Sequence, residues 1–502
     1  MLNASLTIDP GFVVAPVNRR TFGSFVEHMG RCVYTGIYEP GHPTADEDGF
    51  RQDVLDLVRE LGVTVVRYPG GNFVSGYRWE DGVGPASERP VRLDPAWRSV
   101  ESNQFGLNEF IRWARKAEIE PMMAVNLGTR GLQEAIDLLE YCNHPEGTYW
   151  SDLRRSHGAK EPHDIRMWCL GNEMDGPWQL GHKPASEYGR IAAETARAMR
   201  QFESGLELVA CGSSYRHMPT FGAWEATVLE QTYDDVDFIS AHAYYEDLGD
   251  TDSFLGSSAN MDDFIHDVVS TADHVRAKLN KKKRINISFD EWNVWYLSRV
   301  PASLPETWAP HPRISEEAYT VADAVVVGSL LITLLRHSDR VTSACQAQLV
   351  NTISSIRTEP GGPAWRQSIF YPFAQASRLA KGTVLVVEIK SPKYETEKYG
   401  EVPVVDSVVT HDEETGEVVV LAVNRSQTEQ VELSADLKGF HGLRLGEATV
   451  LANDDIKAAN TADQPDRVAP RPARDVTVDD GVLRAVLPPV SWNVVRLVPS
   501  EQ

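Results

Sequence analysis

The chain has few cysteines, and their spacing forms no known metal or disulfide pattern. Five cysteines are scattered through 502 residues without a Cys-x-x-Cys pair. This pattern argues against both a disulfide framework and a zinc knuckle. A His-Glu-x-x-His motif and comparable ligand spacings are also missing. We therefore expect no metal and no cofactor, and the free thiols favour a reducing cytoplasm.

The chain also has a shortage of positive charge. It has 49 Lys and Arg residues against 72 Asp and Glu residues, which gives a net charge of −23. Such a field repels a phosphate backbone, so a nucleic-acid partner is not expected. Neutral and cationic ligands remain compatible with this charge.

Signals for export or membrane insertion are missing as well. The N-terminus has no basic region leading into an apolar core, which predicts a cytoplasmic protein without a Sec signal. The most apolar long segment, residues 318–338, is interrupted by Asp323. It therefore fits a buried helix better than a membrane span, and no membrane partner is expected.

The main positive signal is an eightfold alternation of short apolar runs with longer amphipathic ones. The predicted strands are residues 21–28, 64–71, 120–128, 165–173, 207–214, 236–245, 285–293 and 341–350. Eight such strands, each followed by a helix, predict an α/β fold with a closed (β/α)8 TIM barrel over residues 21–382. A doubly wound open sheet fits less well, because no Gly-x-Gly-x-x-Gly turn follows the first strand.

The pattern changes after about residue 382. Residues 383–502 contain short strands that alternate apolar and polar positions between turn residues, which predicts a C-terminal antiparallel β-sandwich of jelly-roll type. Residues 1–20 alternate in the same way. We expect this N-terminal segment to add a strand to the sandwich.

Polar side chains cluster where the predicted barrel strands end, and active sites of TIM barrels lie at these ends. The residues concerned are Glu27, His28, Arg67, Asn72, Asn126, Asn172, Glu173, Ser213, Ser214, His242, Tyr244, Tyr245, Asp290, Glu291, Trp292, Asn293, Gln346 and Gln348. Carboxylates, amides and aromatic rings at so many strand ends indicate a polyhydroxylated ligand.

Two acids stand out, Glu173 at the end of strand 4 and Glu291 at the end of strand 7. Strands 4 and 7 face each other across an eight-stranded barrel. Cleavage of a glycosidic bond requires two opposed carboxylates, one to protonate the leaving oxygen and one to attack the sugar or activate water. Strand alternation predicts that Asp290 points to the opposite face from Glu291 and is structural.

The aromatic and histidine side chains near these acids have two interpretations each. Trp178, Trp292 and Trp295 either form sugar-stacking walls or belong to the core. His242 is a packed, hydrogen-bonding histidine or a contact to the substrate, and its surroundings lack metal-ligand spacing.

Other functions are compatible with these strand ends. A metal-dependent sugar isomerase would use Glu173 with Asp290 or Glu291 as ligands. A barrel that binds carbohydrate without cleaving it is a further alternative. Among glycosidases, the alternative is another retaining β-glycosidase, such as a β-xylosidase.

Five motifs resemble the α-L-arabinofuranosidases of glycoside hydrolase family 51, and together they span most of the chain. They are FGSFVEHMGRCVYTGIYEP (22–40), RYPGGNFVSGYRWEDGVGP (67–85), GNEMDGPWQ (171–179), FDEWNVWY (289–296) and AQLVN (347–351). The Gly-Asn-Glu triplet alone would indicate only the wider clan of retaining barrel glycosidases.

The resemblance implies an exo-acting enzyme that releases terminal α-L-arabinofuranosyl residues from arabino-oligosaccharides, arabinan or arabinoxylan fragments. It implies Glu173 as the general acid/base and Glu291 as the nucleophile of a double displacement, with the carboxyl groups about 5–5.5 Å apart. It also implies a homo-oligomer, commonly a hexamer. The residues that it implies hold the sugar are Glu27, Asn72, Asn172, Tyr244 and Gln348, with Tyr245 as the competing tyrosine.

Overall fold

Eight parallel strands close into a barrel in the computed structural model, which describes residues 1–440 and 442–500. Neighbours in the chain are neighbours in the barrel, and the eighth strand pairs with the first. The strands are Gly23–Phe25, Val65–Tyr68, Glu120–Ala124, Met167–Leu170, Glu207–Ala210, Phe238–Tyr245, Asn286–Val294 and Val341–Ala347. The predicted TIM barrel is therefore confirmed, and the open sheet is excluded.

Most strands end earlier than the apolar runs suggested, so the polar residues lie just beyond them. The fourth strand stops at Leu170, and Gly171 and Glu173 then take positive φ angles of 94° and 45°. This conformation is rare for a residue with a side chain and often marks functional sites. It turns the chain out of the barrel wall directly at the rim.

The two faces of each strand are apolar because each packs against a different layer. Phe25, Val65, Met122 and Met167 belong to the cluster that fills the barrel. The side chains that alternate with these along each strand point outwards and pack against the helices, as Trp168 does. The helices are Gln52–Leu61, Leu107–Ala117, Leu132–Asn143, Tyr149–Ser156, Ala185–Phe202, Ala223–Thr232, Thr251–Leu255, Ser258–Lys278, Val300–Ser303, Val321–Arg336 and Phe370–Leu379.

The segment predicted as a buried helix forms the helix Val321–Arg336, which is buried along nearly its whole length. One side of it contacts barrel elements and another contacts strands of the second sheet. In the part of the chain that the structure describes, none of the helices combines the length and apolarity needed to cross a bilayer. The five cysteines are all buried and free.

Among the described residues, ten further strands form one mostly antiparallel sheet. Its strands are Leu2–Pro16, Thr383–Lys390, Val405–Asp412, Glu417–Asn424, Val431–Asp436, Leu443–Leu451, Arg471–Pro472, Val476–Asp479, Val482–Leu487 and Ser491–Pro499. Strands from both halves of the sheet contribute side chains to one apolar cluster. The sheet therefore folds back on itself around this core. The strand Leu2–Pro16 runs antiparallel to Thr383–Lys390 and parallel to Val431–Asp436.

Short elements lie in the loops of the barrel and of the ten-stranded sheet. Three two-stranded hairpins are Arg92–Asp94 with Ser99–Glu101, Ile356–Thr358 with Ala364–Arg366, and Lys393–Thr396 with Gly400–Pro403. The 3₁₀ helices are Arg19–Phe22, Asn72–Gly76, Trp79–Gly82, Ala86–Glu88 and Leu297–Arg299.

Candidate active site

A cavity of about 560 Å³ opens at the carboxyl ends of the barrel strands. This volume suits a small sugar and part of its leaving group. Eight of the residues predicted for the site line it, namely Glu27, Asn72, Glu173, Trp178, Tyr244, Glu291, Trp295 and Gln348. Asn172 and His242 lie outside the lining.

The two predicted catalytic acids lie close together in this cavity. One carboxylate oxygen of Glu173 lies within 4.8 Å of one carboxylate oxygen of Glu291. Retaining glycosidases hold their two carboxyl groups about 5–5.5 Å apart, whereas inverting ones leave room for a water molecule between them. The narrow spacing therefore favours direct attack by one carboxylate.

Both carboxylate oxygens of Glu291 accept hydrogen bonds. Arg67 donates from Nη1 to Oε1 over 2.7 Å, and Tyr244 donates its hydroxyl to Oε2 over 2.9 Å. Tyr245 instead donates to Asn260 Oδ1, away from the cavity. Of the two adjacent tyrosines, only Tyr244 therefore contacts Glu291.

Glu173 has a different set of partners. Trp178 donates its indole N–H to Oε2 over 2.7 Å, and His242 Nδ1 lies 2.8 Å from Oε1. The Trp178 side chain is 46% exposed at the mouth of the cavity. The two acids thus differ in surroundings, with Glu291 held by a guanidinium and a phenol, and Glu173 by an indole and an imidazole.

The prediction that Asp290 faces away from the site is wrong. The pairing of the seventh strand with the sixth slips between Ser288 and Glu291, and such an irregularity breaks strict alternation. Asp290 consequently points into the barrel beneath Glu291. Its Oδ1 lies 2.8 Å from His242 Nε2, and its Oδ2 lies 3.9 Å from Arg67 Nε.

His242 is fully engaged by carboxylates and lies outside the cavity lining, which fits its interpretation as a packed, hydrogen-bonding histidine rather than a contact to the substrate. Burial lowers the pKa of His242, but the charge of Glu291 and the hydrogen bonds to Asp290 and Glu173 outweigh this effect and raise it to about 10. The ring is therefore an imidazolium at neutral pH and donates from both nitrogens. Since an imidazolium offers no lone pair to a metal, the group of Glu173, His242 and Glu291 is a poor metal site.

Glu27 and Gln348 line the wall of the cavity. Glu27 accepts hydrogen bonds from the Phe73 backbone N–H, from Trp97 Nε1 and from Gln348 Nε2, at 2.9, 2.9 and 3.0 Å. Burial raises the pKa of Glu27 to about 8, against the lowering effect of the Phe73 and Trp97 hydrogen bonds. Sequence reasoning missed Trp97, because it lies in a long loop without periodicity.

The two predicted asparagines hold different positions. Asn72 begins the 3₁₀ turn Asn72–Gly76 at the cavity wall, where Gln179 donates to its side-chain oxygen. Asn172 accepts a hydrogen bond from Arg67 Nη2 over 2.7 Å. Among the described residues, the buried Nδ2 of Asn172 has no hydrogen-bond partner.

Gly71 keeps a narrow space open between two acids. A Cβ at this position would lie 3.2 Å from Glu291 Oε1 and 3.4 Å from Glu27 Oε2. A side chain at this position would crowd the Glu291 carboxylate and contact that of Glu27. The absence of a side chain here thus lets small groups of a ligand approach them.

The three tryptophans near the acids divide between the cavity and the core. Trp178 and Trp295 line the cavity, and the Trp295 ring meets the Tyr244 ring edge-on at 4.9 Å. Trp292 is fully buried in the main core. Its interpretation as a core residue is therefore correct.

A closed parallel barrel whose rim carries two carboxylates at this spacing defines a glycoside hydrolase of the retaining barrel class. Two family models match the chain, the α-L-arabinofuranosidase 1 domain over residues 57–263 and the α-L-arabinofuranosidase C-terminal domain over residues 290–491. An intracellular exo-α-(1→5)-L-arabinofuranosidase from Streptomyces lividans is 59% identical over 99% of this chain and 75% of its own length. The chain belongs to the α-L-arabinofuranosidases of glycoside hydrolase family 51.

Two further relatives from Bifidobacterium longum extend this finding. An exo-α-(1→6)-L-arabinofuranosidase is 55% identical over 98% of this chain and 97% of its own length. The solved structure of a family 51 α-L-arabinofuranosidase has a TM-score of 0.95 and 52% identity, and the match covers 99% of each chain.

Proposed function

We propose that this protein is a retaining, exo-acting α-L-arabinofuranosidase that removes terminal non-reducing α-L-arabinofuranosyl residues by double displacement. The observation that carries the proposal is the pair Glu173 and Glu291, which line one cavity with carboxylate oxygens within 4.8 Å of each other. Membership in family 51 supports the choice of sugar. The alternatives of a β-xylosidase, a sugar isomerase and a non-cleaving binder are not favoured.

In the first step Glu291 attacks the anomeric carbon, and Glu173 protonates the leaving oxygen. The bond from the anomeric carbon to that oxygen breaks, and an arabinosyl ester forms on Glu291. Arg67 and Tyr244 fix both oxygens of the nucleophile before attack. This preorganisation reduces the entropy cost of reaching the transition state.

In the second step Glu173, now a base, takes a proton from water, and the water displaces Glu291 from the sugar. Two inversions at one carbon give net retention. His242 holds Oε1 of Glu173 at 2.8 Å in both steps, so the acid/base keeps its position while its proton changes. Glu27, Asn72, Asn172, Tyr244 and Gln348 hold the sugar hydroxyls in this proposal.

The proposal extends to the substrate range and the organisation of the chain. Relatives named for (1→5) and (1→6) linkages match almost equally well, so arabino-oligosaccharides, arabinan and arabinoxylan fragments all remain substrates to compare. We place the protein in the cytoplasm, acting on imported oligosaccharides.

Residues 21–382 form the catalytic domain, and residues 1–20 join residues 383–502 in the accessory β-domain. The assembly is a homo-oligomer, a hexamer by family resemblance, which light scattering after size exclusion measures.

Hydrolysis of aryl glycosides tests the proposal directly. We expect 4-nitrophenyl α-L-arabinofuranoside to release nitrophenol at a rate unaffected by EDTA, and NMR of the first product to show the retained anomer. The matched control is 4-nitrophenyl β-D-xylopyranoside, which we expect to react far more slowly. An inverted product, loss of activity with EDTA or preference for the xyloside would each contradict the proposal.

A further inference from the structure

A second group of metal-binding side chains lies on the outside of the barrel. Asp262 and His266 are one turn apart on the helix Ser258–Lys278, and His337 follows the helix Val321–Arg336 directly. One potential ligand atom from each lies within 4.8 Å of the other two. None of the three lines the catalytic cavity.

The spacing of these atoms suits one small ion. His337 Nε2 lies 2.8 Å from Asp262 Oδ1, and His266 Nδ1 lies 3.6 Å from Asp262 Oδ2. Zn²⁺ binds imidazole nitrogens and carboxylate oxygens at about 2.0–2.2 Å, so neighbouring ligands of a tetrahedral ion lie roughly 3–3.6 Å apart. His266 Nδ1 also lies 3.0 Å from the Asp262 backbone oxygen, so the ring must turn away from that carbonyl to offer a lone pair, and its 64% exposed side chain leaves room to turn.

The charges around this group allow a cation to bind. Arg336 lies 3.4 Å from Asp262 Oδ1, but its closer partner is Asp406 at 2.5 Å. Asp406 also pairs with Arg425 over 2.7 Å. The Arg336 guanidinium thus forms its shorter ion pair with Asp406, and Asp262 keeps only the longer contact.

We propose that Asp262, His266 and His337 bind a divalent transition-metal ion of the zinc class, with water as the fourth ligand. Two imidazoles and one carboxylate are a donor set that such ions favour. The ion joins the helix Ser258–Lys278 to the end of Val321–Arg336, and the Arg336–Asp406 pair extends this link to the ten-stranded sheet. The ion thus has a structural role, because it links the barrel to the ten-stranded sheet.

Metal titration of the full-length protein tests the site after chelator treatment and dialysis. We expect one equivalent of Co²⁺ to give the intense visible absorption of a four-coordinate nitrogen–oxygen site, and Zn²⁺ to displace it and raise the Tm. His266→Ala should weaken Co²⁺ binding by more than about tenfold, since losing a ligand costs at least as much as losing a supporting partner. It should also abolish the Zn²⁺-dependent Tm shift.

The matched control is His274→Ala, which removes an exposed histidine two turns further along the same helix and should bind Co²⁺ as the unmodified protein does. Glu291→Ala should also retain Co²⁺ binding, which separates this site from the catalytic group. His266→Ala should keep full activity on 4-nitrophenyl α-L-arabinofuranoside. The proposal fails if the unmodified protein does not bind Co²⁺, if His266→Ala and His274→Ala bind it equally, or if Glu291→Ala abolishes binding.

Discussion

Inside the barrel, beneath the cavity, one histidine lies among three carboxylates, whereas on the outer helices two histidines share one carboxylate. His242 is fully buried with Asp290 on one ring nitrogen and Glu173 on the other. His266 and His337 are more exposed, and each pairs with Asp262. The same residue types therefore behave differently: two buried carboxylates hold the inner ring as an imidazolium, whereas the outer rings share one partly exposed carboxylate.

The largest expected effect in this comparison is the loss of the nucleophile. Glu291→Ala should lower kcat for aryl arabinofuranosides on the order of 10⁴-fold or more, because no other group can form the glycosyl ester. Azide should restore turnover by entering the vacated space, and NMR should identify an arabinosyl azide of inverted configuration. Zinc should not replace azide in this role. Near-normal activity of the variant would remove Glu291 from the mechanism.

Loss of the acid/base should depend on the leaving group. Glu173→Ala should slow cleavage of arabino-oligosaccharides by about 10²- to 10⁴-fold, the usual contribution of general acid catalysis. Aryl glycosides with acidic phenols should still form the intermediate quickly, since their leaving groups need no proton. Pre-steady-state release of 4-nitrophenol measures this difference. Equal losses for both substrate types would contradict the assigned role.

The barrel was predictable from sequence because its signal is repeated eight times, and each buried strand is apolar on both faces. Glu173 and Glu291 were predictable for a related reason, since the ends of parallel strands meet at one rim. The alternation rule gave the wrong direction for Asp290, because a local slip in strand pairing places two consecutive acids inside the barrel. A single sequence contains no pattern that predicts such an irregularity in strand pairing.

The outer group of ligands was missed for a different reason. Asp262 and His266 show helical spacing, but His337 comes from another helix about 70 residues later. Only packing of the two helices brings the three side chains together. Trp97 was missed similarly, since a loop carries it to Glu27. Contacts made by loops and by helix packing are set by tertiary structure, which local periodicity does not encode.

The protonation of His242 gives a pH-dependent prediction. Its pKa in the folded protein is about 10, above the usual 6.5, so the folded state retains a proton that the unfolded chain releases. This stabilisation is complete below about pH 6.5 and is lost as the pH rises towards 10. Between these values the free energy of unfolding should fall on the order of a few kcal/mol more in the unmodified protein than in His242→Gln.

Urea unfolding of both proteins at pH 6.5, 8 and 10 measures that difference. Glu27 titrates in the same window, but it is present in both proteins, so its contribution cancels in the comparison. Parallel curves for His242→Gln would instead show that the imidazolium is not held by its carboxylates.

The smallest expected effect separates two adjacent tyrosines. Tyr244→Phe removes a hydrogen bond to Glu291, and bonds to charged groups contribute about 1.5–3 kcal/mol, so kcat/KM should fall roughly tenfold to a hundredfold. Tyr245→Phe removes only a bond to Asn260 and should leave kcat/KM unchanged while lowering stability by about 1 kcal/mol. Steady-state kinetics and urea unfolding on both variants distinguish these outcomes. A reversed pattern would mean that Tyr245 orients the nucleophile, whereas equal losses of kcat/KM in both variants would mean that the Tyr244 hydroxyl has no specific role in orienting Glu291.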